Sequence, residues 1–253
     1  MIGPICMRKL MISANINAIN EEEPMNAVRA VLWDMDGTLI DSEEFHWIAW
    51  RDTMQKEGIS ITRKQFLATF GLRNDAIIPQ WLGTAATTGR IKRIAAAKEH
   101  LYRDLVRKHG MKPLPGVATW LNRLQEAGWL QAIASSAPWK SIDVILEALS
   151  ATHLFQAIVS AEDVHRGKPD PEVFLVAASR LGVSPACSIV VEDAAAGVEA
   201  ARRAGMHSIG VSRNGQHLGA DIVVQSLELL DPKAFEMLSK QPTFTFNDLK
   251  EPK

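Results

Sequence analysis

Val31-Leu32-Trp33-Asp34-Met35-Asp36-Gly37-Thr38-Leu39-Ile40-Asp41-Ser42 runs from an apolar stretch straight into two carboxylates one residue apart, followed by a glycine. The apolar part predicts a buried strand. Asp34 and Asp36 lie two apart, so extended backbone sends both side chains to the same side of the chain. Packing gives a buried strand no reason to end in two like charges, and holding them together is costly unless a cation or a shared proton relieves the repulsion. A hard metal such as Mg²⁺, with its preference for oxygen ligands, is one answer, and it points to chemistry on an anionic substrate. An Asp-Gly turn after a strand is the other reading of this motif on its own, and the rest of the chain has to decide.

Working outward, the next features are alternating ones. Val28–Trp33, Trp129–Ala134, Ala157–Val159, Ser188–Val191 and His207–Val211 are short Val/Ile/Leu-rich runs that predict strands buried on both faces, with Ile222–Val224 a weaker sixth. Helical periodicity fills the gaps: Val117, Leu121 and Leu124 share a face, as do Ile142, Ile145, Leu146 and Leu149. Asp170-Pro171 predicts a helix start, with Asp as N-cap and Pro first in the helix. The expected fold class is therefore α/β, a Rossmann-like parallel sheet with helices on both faces, whose ligands bind beyond the carboxyl ends of the strands.

One interval breaks the alternation. Residues 43–110 contain no strand-like run and read as helical, with Phe45, Ile48 and Ala49 opening one helix and Leu101, Leu105 and Val106 marking a late one. An insertion leaving directly after the paired carboxylates is expected to sit over them as a helical cap. Lys112-Pro113-Leu114-Pro115-Gly116 is its stiff return linker. The expected organisation is an extension without fixed structure at 1–24, an α/β core at 25–42 and 111–240, the cap at 43–110, and a polar tail at 241–253.

The chain has 253 residues, 47% of them hydrophobic and 23% charged, with a net charge of -1, the balance of an ordinary globular protein. Without a basic excess, neither nucleic acid nor an anionic membrane surface is an expected partner. No apolar run is long enough to span a bilayer. The two cysteines, Cys6 and Cys187, form no disulfide framework or metal-ligand spacing. The expectation is a cytoplasmic, monomeric protein.

Four strand ends carry reactive groups: Asp34 with Asp36, Ser135 with Ser136, Lys168 in Arg166-Gly167-Lys168-Pro169-Asp170-Pro171, and Glu192 with Asp193. Each has an ordinary structural explanation of its own, a helix N-cap for the serines, a surface position for the lysine, dipole complementation for the second acidic pair. Coincidence of all four at one sheet edge is much harder to explain that way. Together they supply a carboxylate nucleophile, a second carboxylate for proton transfer, a hydroxyl and a cation for a phosphoryl group, and an acidic pair for a metal, which is what phosphoryl transfer requires.

These four motifs, Asp-Met-Asp-Gly-Thr-Leu-Ile-Asp-Ser, the Ser-Ser loop, Gly-Lys-Pro-Asp-Pro-Glu-Val-Phe and Val-Glu-Asp-Ala-Ala-Ala-Gly-Val-Glu-Ala-Ala, resemble those of the haloacid dehalogenase superfamily, in its β-phosphoglucomutase-like and small-phosphatase branch. The resemblance covers about residues 28–225. It implies that Asp34 is the nucleophile forming an aspartyl-phosphate and that Asp36 is the proton-transfer group, its backbone carbonyl also meeting Mg²⁺. By the same likeness Glu192 and Asp193 complete the metal site with Asp34, and Ser135, Ser136 and Lys168 hold the phosphoryl oxygens. His46 resembles a cap-hinge histidine, although a solvent-facing helix position explains it nearly as well. Arg73, in a loop resembling the cap's substrate loop, is placed for a distal phosphate or carboxylate, one position from where the mutase pattern has its arginine. Trp139 stands where the same pattern has an asparagine. These departures favour a Mg²⁺-dependent phosphatase acting on a small phosphorylated metabolite of the sugar phosphate class. A sugar phosphomutase is the alternative, and a catalytically silent binding module a minor one.

Overall fold

The computed structural model describes residues 28–243, so the expected extension at 1–24 and the tail from 244 onward lie outside the described residues. Six strands, β1 (Ala30–Trp33), β2 (Leu130–Ala134), β3 (Ala157–Val159), β4 (Ser188–Glu192), β5 (His207–Val211) and β6 (Ile222–Val224), form one parallel sheet in the order β3-β2-β1-β4-β5-β6. All six expected strands are present. The chain runs outward from β1 to β3 on one side, then returns past β1 and runs outward again from β4. The order therefore reverses between β1 and β4, and the crevice beyond their carboxyl ends is where such a sheet opens to ligands.

Among the described residues the α-helices are α1 (Glu43–Lys56), α2 (Arg63–Leu67), α3 (Asn74–Leu82), α4 (Thr88–His109), α5 (Val117–Glu126), α6 (Trp139–Leu149), α7 (Glu172–Leu181), α8 (Ala195–Arg203) and α9 (Ala234–Leu238). The two-residue period of the strands divides the core into two layers. Val31 and Trp33 point into one with Ile133, Ile189 and Val191, covered by α5, α6 and α9; Ala30 and Leu32 point into the other with Ala132 and Val190, covered by α7 and α8. Five of the tryptophans need no functional explanation. Trp33, Trp120 and Trp129 gather round Phe235, with centroids 6.4, 5.0 and 5.9 Å from it, and Trp50 packs edge-on to Trp81 at 4.9 Å. Trp33 donates to Gln131 Oε1 and Trp120 to the Leu227 carbonyl, whereas the Trp129 indole N–H has no hydrogen-bond partner among the described residues.

The expected helix start at Asp170 shifts by one residue. α7 begins at Glu172 with Pro171 as N-cap, because the Asp170 carboxylate accepts from the Glu172 N–H at 3.1 Å and turns the chain before the helix proper. The insertion between β1 and α5 contains α1 to α4 and has a small core of its own, built on Trp50, Met54, Phe66, Ile78 and Ile94. α2 and α3 were not anticipated individually. α2 has five residues, and α3 carries Pro79 inside it. The outgoing and return linkers lie side by side: Ile40 pairs antiparallel with Pro113, and the Leu114 N–H donates to the Leu39 carbonyl at 2.9 Å.

Candidate active site

β1 ends by handing Asp34 to the crevice, its N–H still bonded to the Val191 carbonyl of β4 at 3.0 Å. β2 delivers Ser135 in the same way, through a 3.0 Å bond to the Val159 carbonyl of β3. β4 contributes Glu192 as its last residue and Asp193 just beyond. Lys168 arrives from the loop before α7, joined to Pro169 by a cis peptide. Its Nζ lies 2.5 Å from Asp34 Oδ1 and 2.8 Å from Glu192 Oε2, with all three side chains buried. Ligand oxygens of Asp34, Glu192 and Asp193 lie within 4.8 Å of one another.

Three carboxylates thus share one ammonium. Burial first, and the charge of Glu192 next, push Asp193 up to about 8 and raise Asp34 well above an ordinary carboxyl. Lys168 goes the other way for a base: burial works against its charge, but Asp34 and Glu192 outweigh it and hold the ammonium firmly protonated. Such a donor set, hard and oxygen-only with excess negative charge, fits a divalent cation. Two glycines make room for it. Gly37 has φ +89, and a Cβ there would come 2.1 Å from Asp193 Oδ2; a Cβ on Gly197 of α8 would come 2.1 Å from the Glu192 carboxyl carbon.

Asp36 has different surroundings. Its Oδ1 accepts from Ser42 Oγ at 2.5 Å and from His46 Nε2 at 3.0 Å, with the Tyr102 hydroxyl at 3.5 Å. Burial works to raise its pKa, but the His46 ring, the Ser42 hydroxyl and the more distant Lys98 charge outweigh it, so the carboxyl sits below its ordinary value. The solvent-facing alternative for His46 does not hold: the ring is buried, stacked on Tyr102 at 4.0 Å, and its Nδ1 lies 2.8 Å from Lys98 Nζ. A lysine ammonium can only donate, so Nδ1 is the acceptor and Nε2 carries the proton given to Asp36.

Lys98, Glu99, Ser42, Tyr102 and Asn74 were not singled out in the sequence. Lys98 is 2% exposed and also donates to Glu99 Oε1 at 2.7 Å. Glu99 further accepts from Asn74 Nδ2 at 2.9 Å and, through Oε2, from Ser141 Oγ of α6 at 2.6 Å. Burial would raise Glu99, but Lys98, His46 and these bonds hold it down at about 2. The signal was spacing: Lys98 lies four residues from both Ile94 and Tyr102, which puts a charge inside the buried stripe of α4.

Asp34, Asp36, His46, Ser135 and Ser136 line one small cavity of about 40 Å³, roofed by Phe66 and Phe70 of the insertion. The Ser135 hydroxyl accepts from the Ala137 N–H at 3.1 Å, which shapes the loop after β2. Arg73 and Trp139 do not line this cavity. The Arg73 guanidinium donates to the Ala161 and Val164 carbonyls at 2.8 and 2.9 Å and pairs with Asp75 at 3.0 Å, so it ties the insertion to the core beside the crevice. Trp139 opens α6 and is 45% exposed.

A strand-end carboxylate, a lysine held between two carboxylates, an acidic cluster and a second, separately held aspartate thus meet in one crevice beyond the sheet. The sequence profile of the haloacid dehalogenase-like hydrolases matches residues 31–211. The β-phosphoglucomutase of Bacillus subtilis is 33% identical over 214 residues, 80% of this chain and 94% of that protein. Hexitol phosphatase B of Escherichia coli is 32% identical over 213 residues, covering 81% and 96%. The crystal structure of β-phosphoglucomutase from Clostridium difficile superimposes with a TM-score of 0.77 at 27% identity, over 84% of this chain and 97% of that one. The chain belongs to the haloacid dehalogenase-like hydrolase family.

Proposed function

We propose that the protein is a Mg²⁺-dependent phosphatase that hydrolyses a small phosphorylated metabolite, a sugar phosphate in class, through an aspartyl-phosphate on Asp34. In this reading an Asp34 carboxylate oxygen attacks phosphorus in line with the leaving oxygen, and the bond from phosphorus to that oxygen breaks. Asp36 gives its proton to the departing alkoxide. Water then attacks the phospho-Asp34, Asp36 takes the water's proton, and the bond between phosphorus and the carboxylate oxygen breaks to release inorganic phosphate.

The environments match this division of labour. Asp36 is held in the ionised form needed for the second step; for the first it must carry a proton, and the dianionic phosphoryl group arriving beside it favours that. His46, through Nε2–H, fixes the direction in which Asp36 points. Lys168, Ser135 and Ser136 hold the non-reacting phosphoryl oxygens. Asp34, Glu192, Asp193 and the Asp36 backbone carbonyl would hold Mg²⁺, which neutralises developing charge on the phosphoryl group when bound.

One observation carries the phosphatase reading over the mutase one. A mutase must grip a second phosphate at the far end of its substrate. The basic residues lining the small cavity among the described residues are His46 and Lys98, each already bonded to a carboxylate, and Lys168 beside it is likewise paired. Arg73, the cation expected for that role, is bonded to backbone carbonyls and Asp75.

The test is turnover of β-glucose 1-phosphate with Mg²⁺, with and without glucose 1,6-bisphosphate, beside a panel of hexose and hexitol monophosphates, following free phosphate and glucose 6-phosphate together. Free phosphate, absent with Asp34→Asn, is the expected result. Glucose 6-phosphate without free phosphate would make the protein a mutase instead.

A further inference from the structure

Arg73 lies where the insertion meets the loop that carries Lys168. It stands immediately before α3, and Asp75 of that helix holds one edge of its guanidinium, with Nε 3.2 Å from Oδ1 and Nη2 3.0 Å from Oδ2. The other edge faces the core: Nη1 donates to the Ala161 and Val164 carbonyls at 2.8 and 2.9 Å. Both carbonyls belong to the loop between β3 and α7. Four of the five guanidinium N–H groups are thereby committed. A planar fork fixed along one edge locates the two peptide groups at its other edge, which a single ammonium on a flexible stem would not do.

The aliphatic stem of Arg73 makes a second contact with the same loop. Gly167, the neighbour of Lys168, has no positive φ, so its backbone would accept a side chain. The space would not. A Cβ on Gly167 would come 2.6 Å from Arg73 Cδ and 3.1 Å from Cγ, and a guanidinium pinned at both edges leaves that stem no room to yield. On its far side the loop is tied to the core, where the Glu172 carboxylate of α7 accepts from the His165 and Arg166 N–H groups at 3.1 and 2.8 Å. Lys168 thus leaves a loop gripped by the core through Glu172 and by the insertion through Arg73, and reaches Asp34 and Glu192 from there.

We propose that Arg73 is a positioning residue: by clamping the loop from Ala161 to Gly167, it makes the placement of Lys168 against Asp34 depend on the insertion being seated on the core. This rests on the reading of Lys168 as the cation that holds the phosphoryl group. Arg73 itself does not line the small cavity, so it acts through the loop and not on the substrate. A displaced ammonium costs turnover before it costs folding, because the reaction demands placement to within about 1 Å.

The experiment follows reductive methylation of the Lys168 amine by formaldehyde and cyanoborohydride, read by peptide mass spectrometry, beside kcat for phosphate release from the monophosphate panel, with Mg²⁺ present throughout. Arg73→Ala is expected to speed modification of Lys168 several-fold and to lower kcat roughly tenfold. Gly167→Ala should do the same by displacing the stem, and the double variant should be no worse than Arg73→Ala alone, since both act through one contact. Ser141→Ala unties α4 from α6 without touching the loop, and should leave Lys168 reacting at the wild-type rate. An equal acceleration in Ser141→Ala would reduce Arg73 to a general tie between insertion and core and overturn the proposal. So would wild-type Lys168 reactivity in Arg73→Ala, or single effects that add in the double variant. Phosphate release from no substrate by wild type would remove the phosphatase reading, and the Lys168 reaction rates would still decide the clamp.

Discussion

At the residue scale, the character of the centre comes from three carboxylates and one lysine, of which Asp34, Glu192 and Lys168 are buried and Asp193 half-buried. Lys168 alone cannot neutralise Asp34, Glu192 and Asp193, and the surplus appears as a proton held on Asp193 up to about pH 8. That has a consequence for stability. An acid whose folded pKa is raised contributes stability that is fully present below its ordinary value of 3.8 and is lost as the pH climbs through about 8. Metal-free protein should therefore lose thermal stability between about pH 4 and about pH 8, and saturating Mg²⁺ should flatten that slope by supplying the missing positive charge. Thermal unfolding in chelator and in Mg²⁺ across that range checks it; parallel slopes would argue against a cation at Asp193. The residues of this centre were legible in the sequence because their positions are so poorly explained by packing. Those that serve Asp36 were less so. The spacing of Lys98 from Ile94 and Tyr102 puts it on the buried stripe, but the contacts of α4 with α1 and α6 that bury the Lys98–Glu99 pair lie outside any local pattern.

At the scale of elements, α4 does two things at once. Its apolar stripe closes the insertion's core, and its Lys98–Glu99 pair links His46 on α1 to Ser141 on α6 of the α/β core. Glu99, held at about 2 against an ordinary 4.5, contributes stability that is present above the ordinary value and lost as the pH falls toward 2. Glu99→Gln should shallow the acid limb of the stability curve and cost about 3 kcal/mol near neutral pH, since it also leaves Lys98 buried without its counter-charge. Denaturant unfolding at pH 7 and pH 3 reads both. An acid limb identical to wild type would take Glu99 out of this linkage. The strands could be placed closely from sequence because a strand buried on both faces is a short apolar run between breakers. α2 and α3 could not, since five residues make barely more than one helical turn and Pro79 falsifies the usual helix signal.

For the whole molecule, the residues around the crevice come from two different parts of the chain. Asp34, Lys168, Glu192 and Asp193 gather at the sheet edge, whereas Phe66, Phe70, Asn74 and Glu99 come from the insertion. Replacing residues 43–110 by the corresponding segment of a relative should change which monophosphates are hydrolysed while leaving phosphate release in place, provided the incoming segment brings a donor for Asp36. A product panel run on such a chimera measures this, and a substrate profile identical to the parent's would place selection in the core instead. The same division explains what the sequence could and could not disclose. Strand-end motifs show in a short run of sequence; contacts between single side chains far apart in the chain, Asn74 with Glu99 and Glu99 with Ser141, do not.

The pairing of Ile40 with Pro113 has an evolutionary side. Because the insertion leaves and re-enters the core at neighbouring points, exchanging it would leave the two joining points where they are, as a heritable cassette requires. Lineages can exchange it and acquire new diets without relearning how to break a phosphate ester. The cassette is not wholly free, however. It carries His46, so each replacement must also restore the partner that aims Asp36, and descent through such exchanges runs along the narrow set of segments that keep that one handshake.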